Sequence, residues 1–227
     1  MTNEAQIMPH ISRCNIACGG HAGTPEIMRR SIELALKNGV AIGAHPSYPD
    51  KANFGRKSMP ITPEALKNTL VAQIQKLNEF AHEQGAQLSH VKPHGALYHD
   101  LAESLELGRI FSDAVREVLG TTTIITAPYS VLFDDQMNQP HTLWAEGFID
   151  RRYHHDLRLV SRANEQAIIH DPELAYEQYL SLCSGKISSL EGPIIPIQVK
   201  TCCLHSDHPN ALIIAQRLNL NKKNNEV

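Results

Sequence analysis

Three histidines stand where predicted β-strands end, and this shared position suggests one active site. His21 follows the apolar segment 14–18, His45 follows 40–44, and His94 follows 88–92, each with a Gly or Pro beside it that ends the strand. Parallel α/β folds collect active-site residues at the carboxyl ends of their strands, so we expect the three imidazoles to meet. They could bind a divalent ion, with His21 and His94 as ligands, or move protons during hydrolysis. The alternative is that each one hydrogen-bonds a loop and does nothing else.

Two basic residues accompany the histidines. Arg56 lies in the long loop after His45, and its planar guanidinium suits a substrate carboxylate or phosphate, although an ion pair within the loop would also explain it. Lys92 alternates with His90 on the same strand and could hold an anion if it is buried.

A second group of polar residues accompanies the strand predicted over 142–148. Glu146 and Asp150 are candidate acid–base groups, while Asp150 and Arg151 could equally form a structural pair. Further along, His205, Asp207 and His208 follow the last predicted strand, where Asp207 could cap the next helix. For this second group of residues, both a structural role and a chemical role are open.

Six short apolar strands alternate with amphipathic helices along the chain. This alternation predicts a parallel sheet, open or closed into a barrel. Thr24-Pro25 and Thr62-Pro63 mark two helix starts. The strands are expected at 14–18, 40–44, 88–92, 122–126, 142–148 and 194–199. Further helices are expected at 102–119, 129–136, 172–183 and 207–218. No linker divides the chain, so we expect one domain over residues 1–220 and a polar tail over 221–227.

Composition excludes several classes of protein. The 227 residues are 42% hydrophobic and 20% charged, with a net charge of −3, which gives no footprint for nucleic acid or an anionic membrane. No apolar run approaches the roughly 18 residues of a membrane helix. The residues from Met1 lack the basic and apolar regions of a signal peptide, so we expect a cytoplasmic protein. No phosphate-binding motif indicates that this chain binds ATP by itself.

Long motifs in this sequence resemble those of the LamB/YcsF family, the A subunits of bacterial 5-oxoprolinases. The family carries stretches like N-I-A-C-G-x-H-A-G-D, G-V-x-I-G-A-H-P-x-Y-P-D, F-G-R-R, H-V-K-P-H-G-A-L-Y and x-x-D-R-x-Y. Here they stand at Asn15 to Gly23, Gly39 to Asp50, Phe54 to Lys57, His90 to Tyr98 and Asp150 to Tyr153. The resemblance therefore covers most of the chain.

The resemblance implies a seven-stranded β/α barrel of the glycoside hydrolase/deacetylase type. It also implies ATP-dependent hydrolysis of 5-oxoproline to L-glutamate, performed with the B and C subunits of the enzyme and with no nucleic acid or membrane partner. The catalytic candidates are then His21, His45, His94, Glu146 and Asp150. The substrate-binding candidates are Asn15, Arg56, Lys92, Tyr98 and Arg151.

Three departures from the family pattern keep alternatives open. The acidic first strand that usually opens the family, D-L-N-C-D-L-G-E, is missing, so the first barrel strand is expected to be absent. Thr24 stands where Asp is frequent, and Ser47 and Ser206 stand where Gly is common. The alternatives are a metal-dependent amide hydrolase or carbohydrate deacetylase of the same barrel type, and a catalytically impaired, truncated subunit.

Overall fold

The computed structural model describes residues 3–138 and 140–224. They fall into two compact units. The first unit is Ser12–Trp144, and the second unit consists of the described residues up to Ile11 together with those from Ala145 onward. The single domain that the sequence predicts over residues 1–220 stays a prediction.

The first unit is built from parallel strands joined by helices. Strand β1 (Arg13–Ala17) pairs with β2 (Ala41–His45), β2 with β3 (Leu88–Val91), and β3 with β4 (Thr123–Thr126). The first helix of the described residues, α1 (Glu4–Ile7), belongs to the second unit. The helices of the first unit are α2 (Pro25–Lys37), α3 (Pro63–Glu83), α4 (Ala96–Glu103) and α5 (Leu105–Leu119).

Local sequence explains where these helices begin. The Thr24 hydroxyl accepts a hydrogen bond from the Ile27 amide, and the Thr62 hydroxyl accepts one from the Ala65 amide. Each cap satisfies one of the amide groups that have no partner in a first helical turn, and a proline follows each at the first helical position. Both predicted helix starts are confirmed.

The strand register decides which side chains share a face. Asn15, Gly43 and His90 lie side by side on β1, β2 and β3. Successive residues of a strand point to opposite faces, so Ala44 and Val91, which are buried, lie on the other face. We call the face that carries Asn15, Gly43 and His90 the inner face.

The second unit continues from strand β5 (Thr142–Phe148), which starts in the first unit and ends in the second. Helix α6 (Pro172–Cys183) follows, then a small antiparallel hairpin of β6 (Lys186–Ser188) and β7 (Ile194–Pro196). Strand β8 (Thr201–Cys203) runs parallel to β5, and α7 (Ala211–Asn224) closes the described chain. Six parallel strands are thus hydrogen-bonded in the order β1, β2, β3, β4, β5, β8. The fold is a mixed α/β fold with a parallel six-stranded sheet.

Several predicted elements have the expected bounds and others do not. Strand β5 and helix α6 begin and end at the predicted residues. The prediction of a sixth sheet strand over 194–199 is wrong, because β7 pairs with β6 and the sixth strand of the sheet is β8. The single helix predicted over 102–119 is two helices, since Ser104 is extended and caps α5 through its hydroxyl.

The end of the chain also differs from the prediction. Helix α7 begins at Ala211, too far along for Asp207 to be its N-cap. It then extends to Asn224, into the segment predicted as a polar tail, where no Gly or Pro stops it. Residues 225–227 of that predicted tail lie outside the described residues. Among the described helices, none combines the length and the apolar character needed to cross a bilayer.

Candidate active site

The three predicted histidines meet in the first unit. The rings of His21 and His94 are stacked, with centroids 3.6 Å apart and planes 8° from parallel. The His45 ring stands edge-on to both, at 4.8 Å from His94 and 5.7 Å from His21. We call these three residues the histidine cluster.

The loop after β2 closes over the cluster. The ring of Phe54 packs edge-on against His21 at 5.1 Å and against His94 at 5.3 Å. Its carbonyl oxygen lies 2.9 Å from His94 Nε2, and the Phe54 backbone adopts a positive φ of 55° to place it there. A non-glycine residue in this region of φ is uncommon, which indicates that the surrounding contacts hold the loop in place.

Helix α3 anchors the start of the same loop. The buried side chain of Gln73 accepts a hydrogen bond from the Ser47 amide at 3.1 Å and donates one to the Ser47 carbonyl at 2.8 Å. Gly20 lies against this pair, and a Cβ there would come within 2.3 Å of Gln73 Oε1. A residue without a side chain is therefore favoured just before His21.

The neutral His45–His94 pair has one proton fewer than its three hydrogen-bond contacts need. His45 Nδ1 lies 2.7 Å from the Lys92 carbonyl, His45 Nε2 lies 3.1 Å from His94 Nδ1, and His94 Nε2 faces the Phe54 carbonyl. A carbonyl only accepts, so both outer contacts need an N–H, and the central contact needs a third proton. Two neutral imidazoles carry only two protons. The pair is therefore a defined place where one more proton would complete all three hydrogen bonds.

Burial keeps His21 and His45 uncharged at neutral pH. It lowers the pKa of His21 to about 3, helped by the nearby charges of His94 and Arg56. It also lowers the pKa of His45 well below 6.5, with His94, Lys92 and His21 contributing. His21 is only 5% exposed, and its Nδ1 has no hydrogen-bond partner in the described chain. A buried polar atom of this kind is costly unless a ligand satisfies it, so His21 Nδ1 is a candidate substrate contact.

His90 is hydrogen-bonded to Asn15 on the inner face. The ring of His90 lies between the Ser89 hydroxyl, 2.8 Å from Nδ1, and the Asn15 side-chain amide, 3.0 Å from Nε2. Burial and nearby cationic groups lower the pKa of His90 to about 3, so it is neutral. Nε2 faces the oxygen of the Asn15 amide, which only accepts, so the neutral ring carries its proton on Nε2 and Nδ1 accepts from the Ser89 hydroxyl. The Asn15 oxygen therefore accepts this hydrogen bond, and the Asn15 NH2 group is the part of the amide that could contact a substrate.

The remaining substrate-binding candidates of the first unit differ in exposure. Lys92 is buried, and its Nζ lies 5.9 Å from the ring centroid of Tyr98, which is also buried, on α4. Arg56 is exposed and lies over the Phe54 ring at 4.9 Å, close enough to the cluster to lower the pKa of His21. The first unit thus holds three of the five catalytic candidates and four of the five substrate-binding candidates.

The other three candidates, Glu146, Asp150 and Arg151, are buried in the second unit. Arg151 donates hydrogen bonds to the carbonyls of Val160 and Ala167, which ties the following loop to the end of β5. Asp150 accepts hydrogen bonds from His205. Glu146 lies on β5 opposite Thr201 of β8.

His205 pairs with Asp150, although the sequence does not place it among the catalytic or substrate-binding candidates. Its Nδ1 lies 2.8 Å from the Asp150 carboxylate. A sequence signal exists, because His205 follows the end of β8 by two residues. That signal is weaker when the last strand is predicted at 194–199, since His205 then lies six residues beyond the end of the strand.

The binding of a metal ion by His21 and His94 stays a prediction. Among residues 3–138 and 140–224, no group of three or more His, Cys, Asp or Glu side chains is arranged to hold a metal ion. The rings of His21 and His94, the predicted ligands, are stacked. Both nitrogens of His94 also have partners already.

A family model, curated relatives and a solved structure each match most or all of this chain. The model of the LamB/YcsF family matches residues 1–227. The 5-oxoprolinase A subunit from Carboxydothermus hydrogenoformans is 38% identical over 216 residues, which are 95% of this chain and 85% of that protein. The one from Geobacillus thermodenitrificans is 39% identical over 216 residues, 95% of this chain and 84% of that protein. The crystal structure of a lactam utilization protein from Thermus thermophilus is similar, with a TM-score of 0.89, 32% identity, and coverage of 99% of this chain and 90% of that one.

Proposed function

The chain belongs to the LamB/YcsF family, and from this membership we propose that it is the A subunit of a 5-oxoprolinase. It is then a hydrolase that acts on a cyclic amide, the lactam ring of 5-oxoproline, and produces L-glutamate. The observation that carries this function is the match to relatives of that name over 95% of the chain at 38% and 39% identity.

The reaction requires partners and ATP in this proposal. An A subunit implies further subunits, and we assign the B and C subunits of the enzyme as the partners. A lactam amide is unreactive toward water, and ATP supplies the phosphoryl group that activates its oxygen. The cytoplasm is the compartment where ATP is available. At the level of fold type, the six-stranded parallel sheet supports a relationship to the seven-stranded barrels of deacetylases.

We propose that the histidine cluster transfers protons to and from the substrate. Ring opening requires a proton on the departing nitrogen, and the contact between His45 and His94 is suited to hold one, because an added proton completes three hydrogen bonds there. Neutral His21, with its unpartnered Nδ1, is proposed to contact the substrate directly. General acid–base catalysis of this kind typically contributes about 10²- to 10⁴-fold to the rate.

The basic and amide side chains are proposed to bind the substrate. The carboxylate of 5-oxoproline and an added phosphoryl group are both anions, which suits Arg56 and Lys92. The amide of Asn15 and the phenol of Tyr98 offer polar contacts to the lactam. In the second unit, Glu146 and Asp150 remain proposed acid–base groups, and Arg151 a proposed substrate contact.

Reconstitution tests this function. The chain is combined with its B and C partner subunits, 5-oxoproline and ATP, and glutamate release is measured, with each component omitted in turn. We expect glutamate only from the complete mixture, and a complete mixture that releases none would refute the proposal. Turnover by the isolated chain that a chelator abolishes would instead establish a metal-dependent amide hydrolase.

A variant pair separates the site from the rest of the protein. His94→Ala should abolish glutamate release, whereas His82→Ala should not, because His82 is an exposed residue near the end of α3. Equal losses from both variants would show that the effect does not arise in the histidine cluster.

A further inference from the structure

A carboxylate on α4 holds the loop that covers the histidine cluster. Asp100 accepts a hydrogen bond from the Tyr48 hydroxyl at 2.8 Å and a second one from the Ser58 hydroxyl at 3.0 Å. Tyr48 lies shortly after β2, and Ser58 lies ten residues further along the chain. We call residues 48–58 the cover loop. One side chain therefore binds both ends of this loop.

The two hydroxyl groups reach Asp100 from different depths. Tyr48 is 2% exposed, Asp100 is half-buried, and Ser58 is exposed. Burial, together with the hydrogen bond to Asp100, raises the pKa of Tyr48, so its hydroxyl keeps the proton that it donates. Hydrogen bonds to a carboxylate are stronger than those between neutral groups. Asp100 thus connects a residue of the interior with a residue of the surface.

A backbone contact fixes the middle of the cover loop on the same helix. The Gly55 carbonyl accepts a hydrogen bond at 2.9 Å from the amide of Ala96, the first residue of α4. Gly95, the residue before it, comes so near that an added Cβ would lie 2.2 Å from the Gly55 oxygen. Helix α4 and its first turn therefore contact the start, the middle and the end of the cover loop.

The cover loop carries two residues of the candidate active site. Phe54 packs edge-on against His21 and His94, and its carbonyl faces His94 Nε2. Arg56 lies over the Phe54 ring. Between them Gly55 is buried, and a Cβ there would lie 3.1 Å from His21 Cβ and 3.2 Å from His94 Cδ2. Because the loop is this close to the histidines, a shift of the loop would displace both Phe54 and Arg56 from the cluster.

The cover loop has few contacts of its own that could hold it there. Most of its side chains are exposed, so burial of apolar area contributes little to its position. Its internal hydrogen bonds run from the Gly55 amide to the Asp50 carbonyl and from the Asn53 amide to the Asp50 carboxylate. These bonds shape the turn, but they do not attach it to a helix or strand. The contacts with α4 are therefore important for keeping the loop on the cluster.

We propose that Asp100 is a positioning residue for the reaction, which holds the cover loop so that Phe54 stays against the histidine cluster and Arg56 stays beside it. This role rests on the proposed function, in which the cluster transfers protons and Arg56 binds an anionic group of the substrate. Asp100 acts through the hydroxyls of Tyr48 and Ser58. A misplacement of about 1 Å in an active site can cost about 10²-fold in rate, so the loss of these contacts should be visible in turnover.

Single variants of the reconstituted complex test this role. Asp100→Ala should lower kcat/KM by about 10²-fold. Asp100→Asn should restore most of it, because the asparagine oxygen can accept from Ser58 and its NH2 group can donate to the Tyr48 oxygen. A group that acted by charge or by proton transfer would fail in both variants. Asp113→Ala is the matched control, because Asp113 also accepts a hydrogen bond at 3.0 Å, from Arg116, on the exposed surface of α5. It should leave kcat/KM unchanged.

A double variant shows whether Asp100 acts through the two hydroxyl groups. Tyr48→Phe combined with Ser58→Ala removes both donors and keeps the carboxylate, so it should lower kcat/KM as much as Asp100→Ala does. Adding Asp100→Ala to this double variant should cost no further activity, because the contacts are already lost. A full further loss in that background would show that Asp100 acts in another way and would overturn this role.

NMR of the isolated chain follows the cover loop without relying on turnover. Nuclear Overhauser contacts between the Phe54 ring and the rings of His21 and His94 should be present in the wild type and in Asp100→Asn, and weakened in Asp100→Ala. Wild-type kcat/KM in Asp100→Ala, or unchanged ring contacts there, would overturn this role and leave the proposed function standing. A wild-type complex without turnover would overturn the proposed function and this role with it. If Asp100→Ala does not fold, the double variant of Tyr48 and Ser58 takes its place in both measurements.

Discussion

Gly43→Ala should disrupt the inner face below the histidine cluster, because the ring of His90 occupies the space that a side chain would need. An added Cβ at Gly43 would lie 2.1 Å from His90 Nε2 and 2.4 Å from Cδ2. Real Cβ contacts essentially never fall below 3.0 Å, so the ring or the strand must retreat by about 0.9 Å. His90 is fully buried and bonded at both nitrogens, to Ser89 and Asn15, so it has no free direction in which to move.

The expected cost is about 2–4 kcal/mol of unfolding free energy. Forcing extra volume into a packed interior costs about 1–3 kcal/mol, and distorting one of the two hydrogen bonds of His90 adds about 1 kcal/mol. Urea unfolding of Gly43→Ala, followed by circular dichroism, measures the sum. A change below about 0.5 kcal/mol would mean that the close contact does not exist, because that is the range of substitutions that touch nothing.

A double-mutant cycle identifies the cause. In a His90→Ala background the ring is gone, so Gly43→Ala should cost less than about 1 kcal/mol, and the two changes should be strongly non-additive. Gly39→Ala is the control, since a Cβ there meets nothing within 4 Å and costs only the strain of its positive φ of 65°. It should add to His90→Ala without coupling. Additive behaviour of Gly43→Ala would refute the argument from contact with His90.

Three further predictions follow from the site and its supports. His94→Ala should abolish glutamate release by the reconstituted complex while changing the urea unfolding free energy by about 1 kcal/mol or less, and full turnover would contradict its role. The pKa of His21 and of His90 is about 3 in the folded protein. As the pH falls, these two histidines therefore take up protons in the unfolded chain before they do so in the folded protein. Stability should be complete above about pH 6.5 and fall toward pH 3 by about 1.4 kcal/mol per pH unit for each histidine; an unfolding midpoint equal at pH 7.5 and 5.5 would contradict this. Gln73→Ala should cost about 2–4 kcal/mol because it leaves a buried backbone amide and carbonyl without partners, whereas the exposed Gln75→Ala on the same helix should cost little, and equal urea midpoints would show that the Gln73 contacts contribute nothing.

Much of the first unit could be predicted because its signals are local. A threonine followed by proline specifies a helix start through one hydrogen bond to a residue three positions on, as at Thr24 and Thr62. The positions of His21, His45 and His94 at strand ends follow from apolar runs that Gly or Pro interrupt. Neighbouring parallel strands end on the same side of a sheet, so convergence of these three side chains could be inferred before any coordinates.

The ambiguity between β7 and β8 could not be resolved from local sequence. Both Ile194–Pro196 and Thr201–Cys203 are short β-branched or apolar segments, and only their partners distinguish them. β7 pairs with β6, the strand just before it in the chain, while β8 pairs with β5, more than fifty residues earlier. Strand propensity describes a segment and not its partner, so local sequence misplaces the sixth sheet strand and undervalues His205 with it.

The amino-acid sequence by itself determined the residue types at the strand ends, the helix caps and the family to which the chain belongs, since these depend on neighbours within a few positions or on motif identity. Tertiary structure alone decided what those residues are paired with. Asp150 accepts hydrogen bonds from His205, and His45 shares a contact with His94 that lacks a proton. These outcomes depend on distances between residues about fifty positions apart and on how far burial removes them from water. Charge state and tautomer follow from that environment, which no local pattern of residues records.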